Sequence, residues 1–267
     1  MVDAAGAPGL NRRGAMRRAV GSVAIACSLG VSISPVRAQA ATLTVSAATS
    51  LSNAFRDIGK AFEATRPGVA LRLNFAASGV LLQQLTQGAP VDVLASADAE
   101  TMQRAQERQL VDAASRRDFA VNTLVLVTPP TDTGIQGLND LRRPAVRRIA
   151  LGKEASVPAG RYARSALEQA GLLPDLQSRL LPADNVRQVL DYVARGEVDA
   201  GFVYRSDALA MPGRVRIVQG VATRLPIRYP AAAVADSRQP VLAREFVQFL
   251  ASDTAHKILT QHGFGRP

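Results

Sequence analysis

Short apolar segments alternate with amphipathic segments along most of this chain, and that alternation restricts its fold more than any other feature. Residues 43–48, 69–75 and 91–94 have the composition of strands, and a helical pattern follows each of them. A β-α-β-α order is typical of a mainly parallel sheet covered by helices. The sequence therefore predicts an α/β protein.

The same rhythm continues through the second half of the chain. Helical patterns cover residues 159–170 and 186–193, with Asp184 as the predicted N-cap of the second. Further predicted strands are residues 124–127, 148–151, 199–204, 215–218 and 228–234, and the predicted final helices are 241–250 and 254–261. Roughly 225 residues exceed one usual α/β core. We therefore expect two lobes, with residues 41–121 and 229–267 in lobe 1 and residues 122–228 in lobe 2.

The first forty residues have the pattern of an export signal. Arg12, Arg13, Arg17 and Arg18 precede an apolar run at residues 19–34, and the small-x-small sequence at residues 38–40 then resembles a cleavage site. The run is shorter than the about 20 apolar residues that a membrane-spanning helix needs. We expect residues 1–40 to be a secretion signal peptide that is removed, and the protein to be periplasmic.

Charge and cysteine content exclude several functions. Residues 1–40 contain five of the 32 basic residues and one of the 22 acidic residues, so the remaining chain has a net charge of +6. The remaining arginines are scattered, and no aromatic residues are interleaved with them as a base-stacking surface requires. Cys27, the one cysteine, lies in the leader. We expect no nucleic acid partner and no disulfide or cysteine-based zinc site.

No catalytic constellation is visible in the sequence. His256 and His262 are the only histidines, and their spacing places them on different faces of a helix. Ser78 is not in a G-x-S-x-G motif, and neither nucleotide-binding glycine motif occurs. We therefore predict no catalytic residue and no cofactor.

Small neutral residues stand instead at four predicted helix starts. These are residues 48–51 (ATSL), 76–79 (AASG), 157–160 (VPAG) and 183–186 (ADNV). A helix N-terminus offers free N–H groups and a partial positive charge, which suit an anion. Each one alone is an ordinary cap, but four together predict a pocket of donors for a dianion.

These segments resemble the periplasmic molybdate-binding proteins of ABC importers, which are type II solute-binding proteins. The resemblance extends over about residues 43–264, and six segments carry it in order: residues 47–51 (AATSL), 75–79 (FAASG), 88–93 (GAPVDV) with 96–98 (SAD), 157–163 (VPAGRYA), 184–187 (DNVR) and 201–207 (GFVYRSD). It implies the two-lobed type II periplasmic binding protein fold, with each lobe a mainly parallel sheet flanked by helices and the ligand in the cleft between lobes.

The resemblance also implies a ligand set. Ser50 and Ser78 correspond to residues that bind the oxyanion through hydroxyl and N–H, Ala159 and Val186 to donors of backbone N–H, and Tyr204 to a donor of its phenolic O–H. The implied ligand is molybdate or tungstate, bound as an oxyanion and not as a bare metal cation. The implied partner is an inner-membrane ABC permease, and we expect a monomer.

Two alternatives stay open. A binder of another tetrahedral oxyanion such as sulfate differs only in pocket size, and a secreted serine hydrolase would use Ser50 or Ser78 as its nucleophile. A pocket of donors alone disfavours a protonated phosphate, because the proton of that anion needs an acceptor. Asp92, Asp98 and Asp207 are predicted to be caps or turn residues, since a carboxylate repels a dianion.

Overall fold

The structure is a computed structural model that describes residues 41–131 and 133–267. The predicted signal peptide, residues 1–40, lies outside these residues. Within them, no helix is both long and apolar enough to cross a membrane.

Ten strands occur in the described part of the chain. They are β1 (Ala41–Ala48), β2 (Val69–Ala76), β3 (Val93–Ala95), β4 (Arg117–Asn122), β5 (Leu124–Thr128), β6 (Ile149–Gly152), β7 (Leu180–Ala183), β8 (Ala200–Tyr204), β9 (Arg216–Val221) and β10 (Ile227–Ala233).

Nine α-helices occur in the same residues, most of them between consecutive strands. They are α1 (Ser52–Ala64), α2 (Ser78–Thr86), α3 (Ala99–Glu107), α4 (Pro158–Gln169), α5 (Leu173–Leu176), α6 (Val186–Ala194), α7 (Arg205–Leu209), α8 (Pro240–Leu250) and α9 (Asp253–Gln261).

The strands form two sheets of the same design. The first has the order β2-β1-β3-β10-β4 and the second the order β7-β6-β8-β5-β9. In each sheet the first three strands are parallel, the fourth is antiparallel to its neighbours, and the fifth runs antiparallel to the fourth. The prediction of a two-lobed α/β fold is confirmed, but each sheet is mixed, with two parallel and two antiparallel strand pairings.

The chain changes sheets twice. It leaves the first sheet through Thr123, which separates β4 from β5, and it returns through residues 222–226, which separate β9 from β10. We refer to the first sheet with the helices on it as lobe 1 and to the second as lobe 2. The lobe boundaries given above from the sequence stay a prediction.

Aromatic rings fill the core of lobe 1 beneath the C-terminal helices. The Phe55 ring lies 5.7 Å from that of Phe119 and 6.2 Å from that of Phe246, and Phe62 meets Phe246 edge-on at 5.1 Å. Offset and edge-on pairs of this kind add about 0.5–1.5 kcal/mol each to the burial of their area. They attach α8 to α1, so the chain ends packed on the lobe where it began.

Two strands, two short helices and one helix cap differ from the sequence prediction. The short helices α5 and α7 were not predicted. β4 and β7 were not predicted; β7 contains Pro182 and pairs only with β6, as expected of an edge strand that tolerates proline. The prediction of Asp184 as the N-cap of α6 is wrong. Asn185 occupies that position, and its side chain accepts the Gln188 N–H at 3.0 Å, because its extended backbone directs the side chain at that group.

Candidate functional site

The predicted ligand residues of lobe 1 lie at the carboxyl ends of its parallel strands. Ser50 is in the 3-10 turn Thr49–Leu51 directly after β1, and Ser78 is the first residue of α2, two residues after β2. The carboxyl ends of parallel strands meet at one edge of a sheet, where ligands of open α/β sheets bind. Both serines are therefore brought to one edge of lobe 1.

Lobe 2 repeats this arrangement. Ala159 is the second residue of α4, Val186 is the first residue of α6, and Tyr204 is the last residue of β8. First-turn N–H groups have no acceptor inside their own helix. The caps serve later groups, since Val157 O accepts the Gly160 N–H at 3.0 Å and Asn185 accepts that of Gln188. The N–H groups of Ala159 and Val186 are thus left to an acceptor outside their helices.

The two edges face each other and touch. The Gly79 N–H donates to Ser156 O at 2.9 Å, which joins the start of α2 to the loop before α4. Ala97 connects two predicted ligand residues, because its N–H donates to Ser78 Oγ at 3.0 Å and its carbonyl accepts from Tyr204 Oη at 3.4 Å. Ser78 of lobe 1 and Tyr204 of lobe 2 therefore both contact the backbone of one residue, Ala97.

Glycine at position 79 is what permits this approach. A Cβ atom placed on Gly79 would lie 2.8 Å from both Cα and the carbonyl oxygen of Ser156. Such a distance requires the backbone to shift. Any larger residue at this position would therefore hold the lobes slightly apart.

Ser50 reaches the same region through Tyr229. Ser50 Oγ lies 3.1 Å from Tyr229 Oη, and the Tyr229 ring is 5.7 Å from the Tyr204 ring in an edge-on contact. Helix α6, which begins at Val186, packs against the turn that contains Ser50. All five predicted residues are at most 4% exposed. The structure brings them together at the junction of the two lobes.

Tyr204 is a hydrogen-bond donor at physiological pH. Burial is the main cause that raises the pKa of its phenol well above 10, and the neighbouring Tyr229 adds to it. The phenol therefore keeps its proton, and a group at the end of β8 can donate to an anion without carrying a charge itself.

Asp207 holds two parts of lobe 2 together. One carboxylate oxygen accepts the Tyr204 N–H at 3.3 Å, and the other lies 3.1 Å from Arg187 Nε, although their alignment is poor for a hydrogen bond. Burial raises the pKa of this carboxyl to about 6, against the opposing effects of Arg187 and of the Tyr204 N–H. The pair ties the start of α6 to the end of β8.

Another ion pair, unlike that of Asp207 and Arg187, connects the two lobes. Arg161, in the first turn of α4, contacts the Asp98 carboxylate, and its Nε lies 3.3 Å from Glu100 Oε2. Asp98 also caps α3 by accepting the Thr101 N–H at 3.3 Å. The Asp98 side chain is 4% exposed and that of Arg161 is 19% exposed, so the contact is largely shielded from water.

The carboxylates that the sequence assigned to caps and turns have internal partners. The cap at Asp98 is confirmed, and Asp92 accepts the Thr44 N–H at 2.8 Å and the Ser237 hydroxyl at 2.7 Å. Asp207 is the third residue of α7. Each of these charges is therefore balanced or hydrogen-bonded within the protein.

The sequence reasoning missed Ala97, Asn122 and Tyr229. Ala97 contributes only backbone groups, and Asn122 and Tyr229 lie in strands on opposite sides of the lobe 2 segment of the chain. Their contacts with Ser50, Ser78 and Ser206 connect residues far apart in sequence. No local pattern of residue types could have identified them.

In the part of the chain that the structure describes, neither a metal centre nor a Ser-His-Asp arrangement is assembled around Ser50 and Ser78. Within residues 41–131 and 133–267, no group of three His, Cys, Asp or Glu side chains is placed to hold a metal ion. His256 Nε2 is 3.1 Å from Phe119 O, and His262 Nε2 is 2.9 Å from Asp57 Oδ2. The Ser50 hydroxyl bonds to Tyr229 rather than to either imidazole.

Two lobes that meet around a buried set of hydrogen-bond donors define a bilobal binding protein. The chain belongs to the family of bacterial extracellular solute-binding proteins, whose model matches residues 43–265.

Comparison with known proteins places molybdate binders among its relatives. It is 37% identical to the molybdate-binding protein ModA of Mycobacterium tuberculosis, over 85% of this chain and 86% of that protein. The periplasmic molybdate-binding protein of Azotobacter vinelandii has the same fold, with a TM-score of 0.73 at 24% identity over 84% of this chain and 99% of that one.

The fold alone does not select the anion. The sulfate-binding protein SubI from Mycobacterium tuberculosis also has a TM-score of 0.73, at 20% identity over 84% of this chain and 86% of that one. The choice of ligand therefore depends on the residues of the cleft.

Proposed function

We propose that this protein binds molybdate, and tungstate about equally well, between its lobes and delivers the oxyanion to an inner-membrane ABC permease. The proposed ligand residues are Ser50, Ser78, Ala159, Val186 and Tyr204. Its likeness to molybdate-binding relatives over most of the chain supports this assignment.

One observation carries the proposal: five donors from both lobes are buried at one junction, and no free carboxylate stands among them. The hydroxyls belong to Ser50, Ser78 and Tyr204, and the backbone donors to Ala159 and Val186. The carboxylates of Asp98 and Asp207 are turned to arginines and N–H groups. Such a pocket offers hydrogen-bond donors to the oxygens of a dianion and no free carboxylate to accept a proton from the ligand.

The charge of the ligand is balanced by dipoles rather than by a bound cation. The starts of α2, α4 and α6 direct N–H groups at the junction, and the N-terminal end of each helix carries a partial positive charge. Molybdate and tungstate are fully ionised at neutral pH and have no proton to place. Hydrogenphosphate carries a proton that would lack an acceptor, at a cost of about 1–3 kcal/mol.

Ligand binding and lobe closure are coupled in this proposal. The ligand is held by Ser50 and Ser78 from lobe 1 and by the other three residues from lobe 2, so only the closed form supplies the full set. The Tyr204 O–H bond to Ala97 O, at 3.4 Å, is long and weak and is readily exchanged for a bond to a charged oxygen. A ligand that binds only the closed form shifts the population toward it.

The remaining assignments follow from the same site. We propose a monomeric protein of the periplasm, exported by residues 1–40, that has no cofactor and no enzymatic activity. Sulfate is the second candidate ligand. A serine hydrolase is the least supported alternative: Ser50 and His262 line one cavity of about 50 Å³, but each is bonded to another residue.

The test is a thermal-melt series with molybdate, tungstate, sulfate, phosphate and chromate. A ligand at a hundredfold excess over its dissociation constant adds about 2.7 kcal/mol to the free energy of unfolding. We expect large shifts with molybdate and tungstate only. A comparable shift with sulfate would replace the ligand assignment by a broader one, and no shift with any anion would refute the proposed site. Hydrolysis of simple esters that is lost in Ser50→Ala would favour the hydrolase.

A further inference from the structure

We propose that Asn122 and Tyr229 fix the direction of the Ser50 hydroxyl, so that Ser50 directs its hydrogen at the bound oxyanion. This inference rests on the proposed function and deepens it. It assigns part of the discrimination against protonated anions to two positioning residues at the crossing between lobes, neither of which contacts the ligand in the proposed set.

The orientation of the Asn122 amide is set by its surroundings. Its Oδ1 accepts the Thr123 N–H at 2.9 Å, which turns Nδ2 toward Ser206 Oγ at 2.8 Å and Tyr229 Oη at 3.3 Å. An amide nitrogen has two hydrogens and accepts nothing. Both neighbouring hydroxyl oxygens must therefore accept from Asn122.

The hydrogen bond from Asn122 also fixes the direction of the Tyr229 hydroxyl. Because its oxygen accepts from Asn122, its single hydrogen has to go elsewhere, and Ser50 Oγ lies 3.1 Å away. Tyr229 is fully buried, and burial is the main cause that raises the pKa of its phenol well above 10. The hydrogen is therefore always present, and Tyr229 donates to Ser50.

Ser50 is the last residue in this series of hydrogen bonds. Its oxygen accepts from Tyr229, so its own hydrogen remains for the ligand. The hydroxyl has a second lone pair, but turning that lone pair to the ligand would point the Ser50 hydrogen elsewhere, where the described residues offer it no acceptor, since Tyr229 itself donates. A protonated anion needs such a lone pair, so the hydrogen bonds from Asn122 through Tyr229 disfavour it at Ser50.

Ser78 shows the same principle with a fixed donor. The Ala97 N–H occupies the Ser78 oxygen at 3.0 Å, and a backbone amide cannot reverse its direction. In each serine one lone pair is thus occupied by a donor of the protein, which leaves the hydrogen for the ligand; the donor is a backbone group at Ser78 and a side chain at Ser50. Only the second arrangement can be removed by substitution.

Tyr229→Phe removes the hydroxyl and keeps the ring. That ring packs edge-on against Phe264 at 5.3 Å, Tyr204 at 5.7 Å and Phe119 at 6.5 Å, and none of these contacts needs the oxygen. Without Tyr229 Oη, the Ser50 hydroxyl is free to rotate and to accept. The matched control is Ser206→Ala, which removes the other acceptor of Asn122 and leaves the bond to Tyr229 in place.

The test compares two dianions of similar size at pH 8, chromate without a proton and hydrogenarsenate with one. Their dissociation constants are measured by competition with molybdate in calorimetric titrations of the wild type, Tyr229→Phe and Ser206→Ala. For Tyr229→Phe we expect molybdate binding to weaken about tenfold and the preference for chromate over hydrogenarsenate to fall about tenfold, as for one misdirected bond to a charged ligand. Ser206→Ala should keep the preference within about twofold.

The outcomes separate the two proposals. Failure of the wild type to bind molybdate refutes the proposed function. Normal binding by the wild type with an unchanged preference in Tyr229→Phe, or an equal loss in Ser206→Ala, overturns only the role of Tyr229. If Tyr229→Phe does not fold, Asn122→Asp is used instead. It replaces the amide donor with an acceptor, so Tyr229 should donate to residue 122 and accept from Ser50. It must then reduce molybdate binding more than hydrogenarsenate binding, and an equal reduction overturns the inference.

Discussion

The two lobes have the same sheet design but contribute to the junction in different ways. In lobe 1 the residues that follow β1 and β2 are serines, Ser50 and Ser78, whose hydroxyls are part of the proposed site. In lobe 2 the helices that follow β6 and β7 place Ala159 and Val186 there, and these have no polar side-chain atom to offer. One lobe uses side chains, and the other relies mainly on its backbone.

This difference determines where the site is vulnerable. A hydroxyl is removed by one substitution, whereas a backbone N–H stays in place as long as its helix begins at the same residue. Lobe 2 is therefore sensitive to whatever positions α4 and α6, and lobe 1 to the identity of two side chains.

The largest effect is expected from the serines. Ser50→Ala combined with Ser78→Ala should weaken molybdate binding by a factor of about 100 or more, since hydrogen bonds to charged groups contribute about 1.5–3 kcal/mol each. Isothermal titration measures the loss. Val186→Ala should change the affinity by less than about threefold, because its donor is the backbone; a large loss in that variant would contradict the comparison.

Ser78→Ala has a second consequence in the absence of ligand. It leaves the buried Ala97 N–H without its acceptor, so the free energy of unfolding should fall by about 1–3 kcal/mol. Ser50→Ala instead leaves the Tyr229 O–H without its acceptor and should cost less, because a hydroxyl hydrogen can rotate whereas a backbone N–H cannot. Urea denaturation of the two single variants tests this order.

Asp207→Asn tests how Asp207 contributes to the stability of lobe 2, through the pH dependence of the free energy of unfolding. The pKa of about 6 in the folded protein lies above the ordinary aspartate value of 3.8, so the folded protein binds this proton more tightly than the unfolded chain. The contribution of Asp207 to the free energy of unfolding therefore rises as the pH falls from 7 to 4, by about 2 kcal/mol. Asp207→Asn should lack this change.

Urea midpoints at several pH values measure that difference. The free energy of unfolding of Asp207→Asn, relative to the wild type, should improve steadily from pH 4 to pH 7. A difference that is constant with pH would show that Asp207 titrates normally. Asp253→Asn is the control, since Asp253 is exposed and its pKa is lowered by its hydrogen bond to Arg266.

Gly79→Ala tests the closeness of the two lobes. The added Cβ would meet the Ser156 backbone at 2.8 Å, so closure should be impaired and molybdate affinity should fall about tenfold, which corresponds to about 1.4 kcal/mol. Gly59→Ala is the matched control, because its Cβ would make an ordinary contact of 3.6 Å with Leu71 inside lobe 1. Equal affinities in the two variants would indicate that Gly79 imposes no limit on closure.

The smallest effect is expected from Arg161→Met. The variant loses the contact with Asp98 across the lobes, which in the open form is replaced by water, so we expect only about a threefold loss of affinity, mainly through faster release. Arg164→Met, one turn further along α4, loses contacts with Glu154 and Glu168 that lie within lobe 2. Stopped-flow release rates should change in the first variant and not in the second.

The sequence predicted the parts of the fold that depend on local pattern. The apolar strands and the amphipathic helices α1 and α6 were recognisable because burial of one face imposes a period on the residues. β4 and β7 were missed because β4 begins with two charged residues and β7 is a half-exposed edge strand with a proline. Such strands are defined by their partners and not by their own composition.

The candidate site likewise contains residues that the sequence predicted and residues that it did not. Its helix starts were visible as small residues after strands, and the resemblance supplied Ser50, Ser78, Ala159, Val186 and Tyr204 as a set. Asn122 and Tyr229 could not be found, because each contacts the site from a strand where its residue type has an ordinary structural explanation. Asp184 was assigned the cap that Asn185 provides, since both residue types suit that position.

The order of strands also affects how the chain folds. β10 lies between β3 and β4, so the sheet of lobe 1 has a gap until the chain has been made as far as Ala233. Contacts between such distant segments are slow to form because a long loop must first close. Lobe 1 therefore cannot complete its core early and remains unfolded for longer during synthesis. The export proposed above would benefit from that delay, since a chain is threaded through a membrane before it folds.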